Sequence, residues 1–274
     1  MLRIQFTKMH GIGNDMIVLD SRESGFVPSA AQAIALCDRR LGIGADQLLA
    51  LLPSSVADFK MRILNADGSE VEMCGNGIRC LARFIVDRGL SAKNPLAIET
   101  LAGIIRPEVR GEQVRVDMGE PVFDPERIPV KVTAPGREAV LEVDGELFHF
   151  RAVSMGNPHC VIQVDDVEAV PLEAIGPKIE RHPWFPRRAN VEFVEVTDRE
   201  RLRVRVWERG AGVTLACGTG ACAAAVAMID LGRAERLVTV SLPGGDLTIE
   251  WNAATNHVWM TGPASTVFTG TIEL

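Results

Sequence analysis

Two cysteines of this 274-residue chain, Cys74 and Cys217, each precede a Gly-x-Gly sequence that opens a long apolar run. Their positions define a repeat offset (217 − 74 = 143). The same offset relates three further polar pairs, namely Gly13-Asn14 with Gly156-Asn157, Gln47 with Asn190, and Asn65 with Glu208. Because the dipeptide Gly-Asn is rare in the chain, this recurrence predicts an internal duplication with one reactive thiol in each half.

A thiol placed just before a helix is suited to acid–base chemistry. The first N–H groups of a helix lack partners within it, so Gly75-Asn76 and Gly218-Thr219 are predicted to form two anion sites. The helix dipole favours a thiolate and is expected to lower both thiol pKa values below the usual value of about 8.5. Two such sites facing one cleft suit inversion at a carbon next to a carboxylate. One thiolate removes the α-proton, the opposite thiol protonates the other face, and the N–H groups stabilise the carboxylate.

Other polar residues near the repeated elements are candidates for supporting roles. His159 and Glu208 are each expected to hydrogen-bond a cysteine and to direct its proton. Arg209 offers a forked donor for a second carboxylate. Neutral donors and acceptors suited to a zwitterionic ligand come from Asn14, Asn65, Asn157 and Asn190.

These residues need elements that hold them in place. Residues 77–88 and 220–231 are predicted as two central helices, and the second is apolar nearly all round, so it must be buried on every side. A curved sheet wrapped around one helix in each half would meet this requirement. A further helix is predicted at 29–41, with a capping box at its start and an apolar face that includes Ile34 and Leu41.

Composition excludes several classes of protein. The net charge of −7 argues against non-specific binding to nucleic acid or to anionic membranes. No apolar stretch approaches the length that spans a bilayer, and the N-terminus lacks a signal-peptide core. We therefore expect a cytoplasmic protein whose six cysteines stay reduced. No metal is expected, because the cysteine spacings do not match close zinc-binding pairs.

Length and duplication together favour two domains. A segment rich in proline and acidic residues at 119–128 marks the predicted boundary. The N-terminal domain is therefore expected at 1–118 and the C-terminal domain at 119–262, with the active site in the cleft between them. The last strand, in 263–274, is expected to return to the N-terminal domain.

Seven stretches, in order along nearly the whole chain, resemble the diaminopimelate epimerase family. Each alone is unspecific, but together they are highly specific. They are Lys8-Met9-His10-Gly11-Ile12-Gly13-Asn14-Asp15, Gly42-Ile43-Gly44-Ala45-Asp46-Gln47, Asn65-Ala66-Asp67-Gly68-Ser69-Glu70, 73–79, Gly156-Asn157-Pro158-His159, Glu208-Arg209-Gly210 and 216–221. Two departures from the family pattern are Met16, where an aromatic residue often stands, and the absence of tyrosine, for which Phe268 is a candidate substitute in packing.

The resemblance implies an α/β (α+β) fold of two pseudo-symmetric domains, each a mixed sheet wrapped around a central helix. It implies a cofactor-independent isomerase that interconverts LL- and meso-2,6-diaminoheptanedioate (diaminopimelate), in lysine and peptidoglycan precursor biosynthesis, as a cytoplasmic homodimer. Cys74 and Cys217 match the acid and base positions, and His159 and Glu208 match the helper positions. The matched substrate-binding positions are Asn14, Gln47, Asn65, Gly75, Asn76, Asn157, Asn190, Glu208, Arg209, Gly218 and Thr219.

Two alternatives stay open at this point. A proline or hydroxyproline racemase of the same fold also uses paired cysteines, but those enzymes usually carry Cys-Gly-His-Gly where this chain has Asn76. A non-catalytic thiol redox or binding protein would instead join Cys74 and Cys217 in a disulfide.

Overall fold

The computed structural model describes residues 3–131 and 138–274 of the chain. Internal contacts divide the chain into two compact units, one formed by Met1–Asp117 with Thr261–Leu274 and the other by Met118–Met260. Among the described residues, no helix is both long and apolar enough to cross a membrane.

The first unit is a mixed sheet with one central helix. Its strands are β1 (Arg3–Gly11), β2 (Asn14–Asp20), β3 (Gln47–Leu52), β4 (Phe59–Asn65), β5 (Glu70–Val71), β6 (Ile98–Thr100), β7 (Gly103–Ile105), β8 (Glu108–Arg110) and β9 (Gln113–Asp117), and its helices are α1 (Ala30–Cys37) and α2 (Gly75–Asp87). The sheet has the order β19 (Ser265–Glu273), β1, β2, β3, β4, β6, β7, with β5 on β4. The helix α2 packs against β1, β2, β3 and the hairpin β8–β9.

The second unit repeats this plan. Its elements are β10 (Ala139–Val143), β11 (Glu146–Ser154), β12 (Pro158–Gln163), α3 (Leu172–Glu180), β13 (Asn190–Asp198), β14 (Arg201–Glu208), β15 (Gly212–Thr214), α4 (Gly218–Asp230), β16 (Leu237–Leu242), β17 (Gly245–Trp251) and β18 (Val258–Pro263), the last of which runs past the unit's end at Met260. The strands lie in the order β10 to β14, β16, β17, β18, with β15 on β14. The helix α4 packs against six of them and is buried almost all round, as its composition predicts.

Strand registers repeat at the same offset as the two cysteines. In the first unit, Met16 on β2 pairs with Gln47 on β3 in a parallel ladder. In the second unit, His159 on β12 pairs with Asn190 on β13 in the same way. The next ladder is antiparallel in both units, between β3 and β4 and between β13 and β14. The duplicated sequence therefore folds into duplicated ladders, and equivalent positions can be compared residue by residue.

The central helices begin two residues earlier than the sequence predicts. Cys74 is itself the N-cap of α2, and Cys217 is the N-cap of α4, both with the extended backbone usual at that position. Glycine disfavours helix interiors. In the structure Gly75 and Gly218 are the first helical residues, where that penalty is outweighed by the cap.

The first helix is shorter than predicted, and its apolar face is different. The capping box of Ser29 and Gln32 is present as predicted, but the helix ends at Cys37. Asp38 ends it, because its carboxylate accepts the N–H groups of Arg40 and Leu41, both at 2.7 Å. Leu41 is consequently 92% exposed, and the assignment of Ile34 and Leu41 to the buried face is wrong.

The last strand, β19, forms the edge of the first unit's sheet. The strand β19 pairs antiparallel with β1 from Arg3↔Glu273 to His10↔Ser265. The Phe6 and Phe268 rings meet edge to face with centroids 5.9 Å apart. The final residues of the chain thus complete the sheet that its first residues begin.

Candidate active site

The first half-site is built on the N-terminus of α2. The Cys74 Sγ accepts the N–H of Gly77 at 3.3 Å, the bond that makes this cysteine a cap. Asn14 lies beside it, at the end of the β1–β2 turn, with its Oδ1 3.9 Å from the Cys74 Sγ. The same oxygen accepts the Nδ2 of Asn76 at 3.2 Å. The thiol, the Asn14 amide and the first turn of the helix therefore form one polar cluster.

The second half-site has the same construction at the equivalent positions of the repeat. The Cys217 Sγ accepts the N–H of Gly220 at 3.3 Å and lies 3.6 Å from the Thr219 Oγ1. The Nδ2 of Asn157, the equivalent of Asn14, donates to that hydroxyl at 3.4 Å. Thr219, the equivalent of Asn76, thus links the asparagine to the thiol.

A second pair of polar residues flanks each half-site on neighbouring strands. Gln47 and Asn65 lie opposite each other on β3 and β4, and the Gln47 Nε2 donates to the Asn65 Oδ1 at 2.9 Å. Their equivalents, Asn190 and Glu208, stand at the matching ends of β13 and β14. The Gln47 Oε1 is buried without a hydrogen-bond partner among the described residues, so it has unused capacity to accept a ligand donor.

Asn190 and Glu180 hold the segment that carries Arg209. The Asn190 Oδ1 accepts the N–H of Arg209 at 2.9 Å, and the buried Glu180 accepts the N–H of Gly210 at 3.2 Å. The Arg209 guanidinium donates to the carbonyl of Arg187 at 3.2 Å and is otherwise exposed. The backbone of this turn is therefore fixed, while the side chain reaches solvent.

The electrostatics of the second half-site differ from the sequence-based expectation. Burial raises the pKa of the Cys217 thiol well above its usual value, and the nearby Glu208 and Glu192 carboxyls raise it further. The hydrogen bonds from Thr219 and from the Gly220 N–H only partly offset these effects. The expectation that both helix N-termini lower the thiol pKa is thus wrong for Cys217, because desolvation outweighs the helix dipole.

Glu208 lies next to Cys217 and shares its environment. Burial raises the pKa of the Glu208 carboxyl, while hydrogen bonds to Thr214 and to Cys217 oppose this shift. The Thr214 hydroxyl donates to the Glu208 Oε1 at 2.5 Å. A carboxyl with a raised pKa beside a thiol is a suitable proton-exchange partner for it.

His159 is placed differently from the expected direct partner of a cysteine. It is fully buried, its Nδ1 lies 2.7 Å from the Glu192 Oε1, and its Nε2 lies 2.9 Å from the Asn157 Oδ1. Both ring nitrogens are therefore engaged within its own unit. The residue that sequence reasoning missed here is Glu192, which stands inside a strand that was expected to alternate.

Three further residues missed from the sequence support the first half-site. The Asn14 Nδ2 donates to the Asp46 Oδ2 at 2.9 Å. The fully buried Arg79 donates to the Asn76 Oδ1 at 2.8 Å and to the Gly75 carbonyl at 3.1 Å. Asp15 is ion-paired with Arg39 at 2.8 Å, beside the Asn14 backbone. The motifs that contain these residues were recognised, but no role could be read from their types alone.

All predicted site residues fall into two groups, one in each unit. The first unit brings together Asn14, Gln47, Asn65, Cys74, Gly75 and Asn76. The second unit brings together Asn157, His159, Asn190, Glu208, Arg209, Cys217, Gly218 and Thr219.

Comparison with known proteins gives a consistent family. The family model described as diaminopimelate epimerase matches residues 6–123 and 151–267. The diaminopimelate epimerase of Acetivibrio thermocellus is 53% identical over 277 residues, covering 99% of each chain. That of Desulfitobacterium hafniense is 54% identical over 278 residues, covering 98% of each.

One solved structure is similar to this chain in fold. A hydroxyproline epimerase from Agrobacterium vitis, with bound trans-4-OH-L-proline, superposes with a TM-score of 0.72 at 17% identity, covering 98% of this chain and 92% of that chain. Together with the family model, this confirms the predicted class of two repeated α/β halves.

Proposed function

The chain belongs to the diaminopimelate epimerase family, and from that premise we propose how its two half-sites interconvert LL- and meso-2,6-diaminoheptanedioate. The enzyme is an isomerase that inverts one α-carbon of diaminopimelate, a step of lysine biosynthesis. The observation that carries the mechanism is the repeat, at equivalent positions of the two halves, of a thiol-capped helix with an adjacent asparagine. A reaction with two opposite proton transfers needs two equivalent acid–base groups.

The proposed chemistry needs no cofactor. One thiolate takes the α-hydrogen as a proton, and the C–H electron pair moves into the carboxylate. The other thiol then gives its proton to the opposite face of the carbon and becomes a thiolate. Each proton transfer by a positioned group contributes about 10²–10⁴-fold to the rate. The N–H groups of Gly75-Asn76 and Gly218-Thr219 supply the remaining stabilisation by binding the carboxylate as its charge grows.

Of the two thiols in the substrate-free enzyme, we assign Cys217 as the protonated one. Burial and two neighbouring carboxyls disfavour its thiolate, whereas Cys74 is partly exposed. Glu208 is proposed as the group through which the Cys217 proton exchanges between turnovers. His159 acts through Asn157 and not by direct contact with Cys217.

The remaining site residues are proposed to bind the rest of the substrate. The Arg209 guanidinium is free of any acidic partner in the described part of the chain and offers a forked donor to the distal carboxylate. The unpartnered Gln47 Oε1 is suited to accept the substrate ammonium. The Asn65 side chain orients the Gln47 amide, and the Asn190 side chain holds the backbone N–H of Arg209.

The test is proton NMR of LL-diaminopimelate in D₂O with reduced enzyme and no added cofactor. Loss of the α-proton signal with appearance of the meso isomer is the expected result. Exchange of the α-proton of proline or hydroxyproline alone would identify the protein as a racemase of those amino acids instead. Absence of α-proton exchange with all three compounds would favour a redox or binding role for the two thiols.

We further propose that the enzyme works in the cytoplasm as a homodimer, without nucleic-acid or membrane partners. None of the six cysteines is in a disulfide, and the mechanism needs two of them reduced. The edge strand β19 exposes Val267 and Phe268 by 56% and 47%, apolar area suited to a second copy. Phe268→Glu is expected to give a monomer in light scattering, with Val56→Glu as an exposed control. A dimeric Phe268→Glu variant would place the interface elsewhere.

A further inference from the structure

A buried histidine–glutamate pair distinguishes the second unit from the first. His159 and Glu192 are both fully buried, with their Nδ1 and Oε1 atoms 2.7 Å apart. The equivalent positions of the first unit are occupied by Met16 and Leu49, which are buried and apolar. The duplication therefore built one half-site on an apolar layer and the other on an ionisable pair.

The pair is connected to the Cys217 thiol by a chain of hydrogen-bonding atoms. The His159 Nε2 lies 2.9 Å from the Asn157 Oδ1, and the Asn157 Nδ2 donates to the Thr219 Oγ1 at 3.4 Å. That hydroxyl lies 3.6 Å from the Cys217 Sγ. The buried His159 side chain therefore influences the orientation of the Asn157 amide at the surface of the site.

The first half-site orients its own asparagine by a different route. The Asn14 Nδ2 donates to the Asp46 carboxylate at 2.9 Å, and its Oδ1 accepts from Asn76 at 3.2 Å. No histidine is needed there, because Asp46 already specifies which end of the amide faces which way. In the second unit, the orientation of the Asn157 amide has to be set by His159.

The hydrogen-bonding pattern fixes where one proton of the pair must be. The Asn157 Oδ1 is an acceptor, so the His159 Nε2 must carry the hydrogen that it accepts. The Nδ1 then either accepts a proton from a neutral Glu192 or donates one to a Glu192 carboxylate. Both arrangements hold the same number of protons, and both need an oxygen of residue 192 facing Nδ1.

Glycine at position 220 makes room for this carboxyl beside the thiol. A Cβ at residue 220 would lie 3.0 Å from the Glu192 Oε1 and 3.2 Å from the Cys217 Sγ. The Glu192 Oε2 is buried with no hydrogen-bond partner among residues 3–131 and 138–274. A buried polar oxygen without a partner costs folding stability, so the retention of a carboxyl here calls for a role outside packing.

We propose that Glu192 is a positioning residue of the second half-site, which holds His159 as a donor and thereby sets the Asn157 amide with its nitrogen toward Thr219 and the ligand. With residue 192 unable to bond Nδ1, the tautomer is no longer held, and the second form, in which Nε2 accepts, becomes populated. Asn157 then turns its nitrogen toward His159 and its oxygen toward the ligand. The identity of the ligand rests on the proposed function, whereas the orientation of the amide does not.

Two substitutions separate this role from packing. In Glu192→Gln the amide nitrogen can donate to Nδ1, so the Nε2–H is kept and the KM for diaminopimelate stays within about threefold of wild type. In Glu192→Leu the core receives the residue found at the equivalent Leu49, which fits beside a glycine there, and KM rises about tenfold or more. Glu195→Gln, further along the same strand in an ion pair with Arg203, is the control with unchanged KM.

A second readout does not depend on activity. Nitrogen-15 NMR of the histidine rings in the ligand-free protein is expected to give the Nε2–H form of His159 in wild type and Glu192→Gln, and a mixture of the Nε2–H and Nδ1–H forms in Glu192→Leu. A wild-type tautomer and KM in folded Glu192→Leu would overturn the proposal, as would Glu192→Gln damaged as severely as Glu192→Leu. A wild-type protein inactive on diaminopimelate would overturn the proposed function, while the tautomers would still test Glu192.

Discussion

Replacing each cysteine by alanine and by serine separates its structural role from its chemical one. Each thiol caps its helix through one N–H···S bond of 3.3 Å, to Gly77 or Gly220. An N-cap lost to alanine costs about 0.5–2 kcal/mol, and a sulfur acceptor is weak, so we expect about 0.5–1 kcal/mol. In a chain of this size such a loss lowers Tm by roughly 1–2 °C. Serine is a preferred N-cap, so Cys74→Ser and Cys217→Ser should keep the wild-type Tm or exceed it.

Activity should not follow stability, because both substitutions are expected to be equally damaging. Neither hydroxyl nor methyl can exchange a proton as a thiol does near neutral pH. Since inversion needs both transfers, epimerisation is expected to fall by about 10³-fold or more in each variant. The assay is proton NMR in D₂O, started separately from the LL and meso isomers, with Tm measured by calorimetry on the same samples.

The two single-thiol variants should also exchange the α-proton of different isomers. A remaining thiol can remove the α-proton that faces it and return a deuteron to the same face, which is exchange without inversion. Cys74→Ser and Cys217→Ser are therefore expected to label different isomers. Near-normal epimerisation in either variant would refute the two-base mechanism. A Tm loss in the serine variants as large as in the alanine variants would refute the capping role.

Three further perturbations test single residues. Arg209→Ala should raise KM by about 10- to 100-fold with little change in kcat, because a charge-assisted bond to the distal carboxylate is lost; an unchanged KM in steady-state assays would exclude the clamp. Glu208→Gln should lower kcat by about 10²-fold with KM within a few-fold, and a raised KM with unchanged kcat would indicate a binding role instead. Asp15 has a lowered pKa, since bonds from Arg39 and Lys8 outweigh its burial, so it stabilises the fold above the unfolded-state pKa of about 4 and this contribution is lost as the pH falls further. Urea midpoints of wild type should therefore fall between pH 7 and pH 3 more steeply than those of Asp15→Asn, and parallel curves would contradict the assignment.

The duplicated plan was predictable because its signals are local and repeated. Glycine–asparagine turns, thiols before apolar runs and alternating strands all recur at one offset, and the structure places them on equivalent ladders. The all-round burial of α4 followed from a run in which hardly any residue is polar.

Predictions failed where a tertiary contact decides the outcome. Leu41 was assigned to a helix on periodicity, but the Asp38 side chain competes for the backbone N–H groups and ends the helix first. The Cys217 pKa was expected to fall, because the helix dipole is visible in sequence while two carboxyls folded against the thiol are not. Glu192 was not singled out from the sequence, although its equivalent, Leu49, stands in a continuous apolar run that marks a doubly buried strand.

The pairing of β1 with β19 has a consequence for how the chain is made. Domains usually fold in the order of synthesis, N-terminal first. Here the first unit lacks its edge strand until Ser265–Glu273 has left the ribosome, whereas the contiguous second unit is complete by then. Until that moment β1 presents an open edge, the kind of surface that recruits other chains. The returning segment also bonds the α2 helix, through the Pro263 carbonyl and the Arg79 Nε at 3.4 Å, so the helix that carries the first thiol gains this contact only after the second unit has been translated.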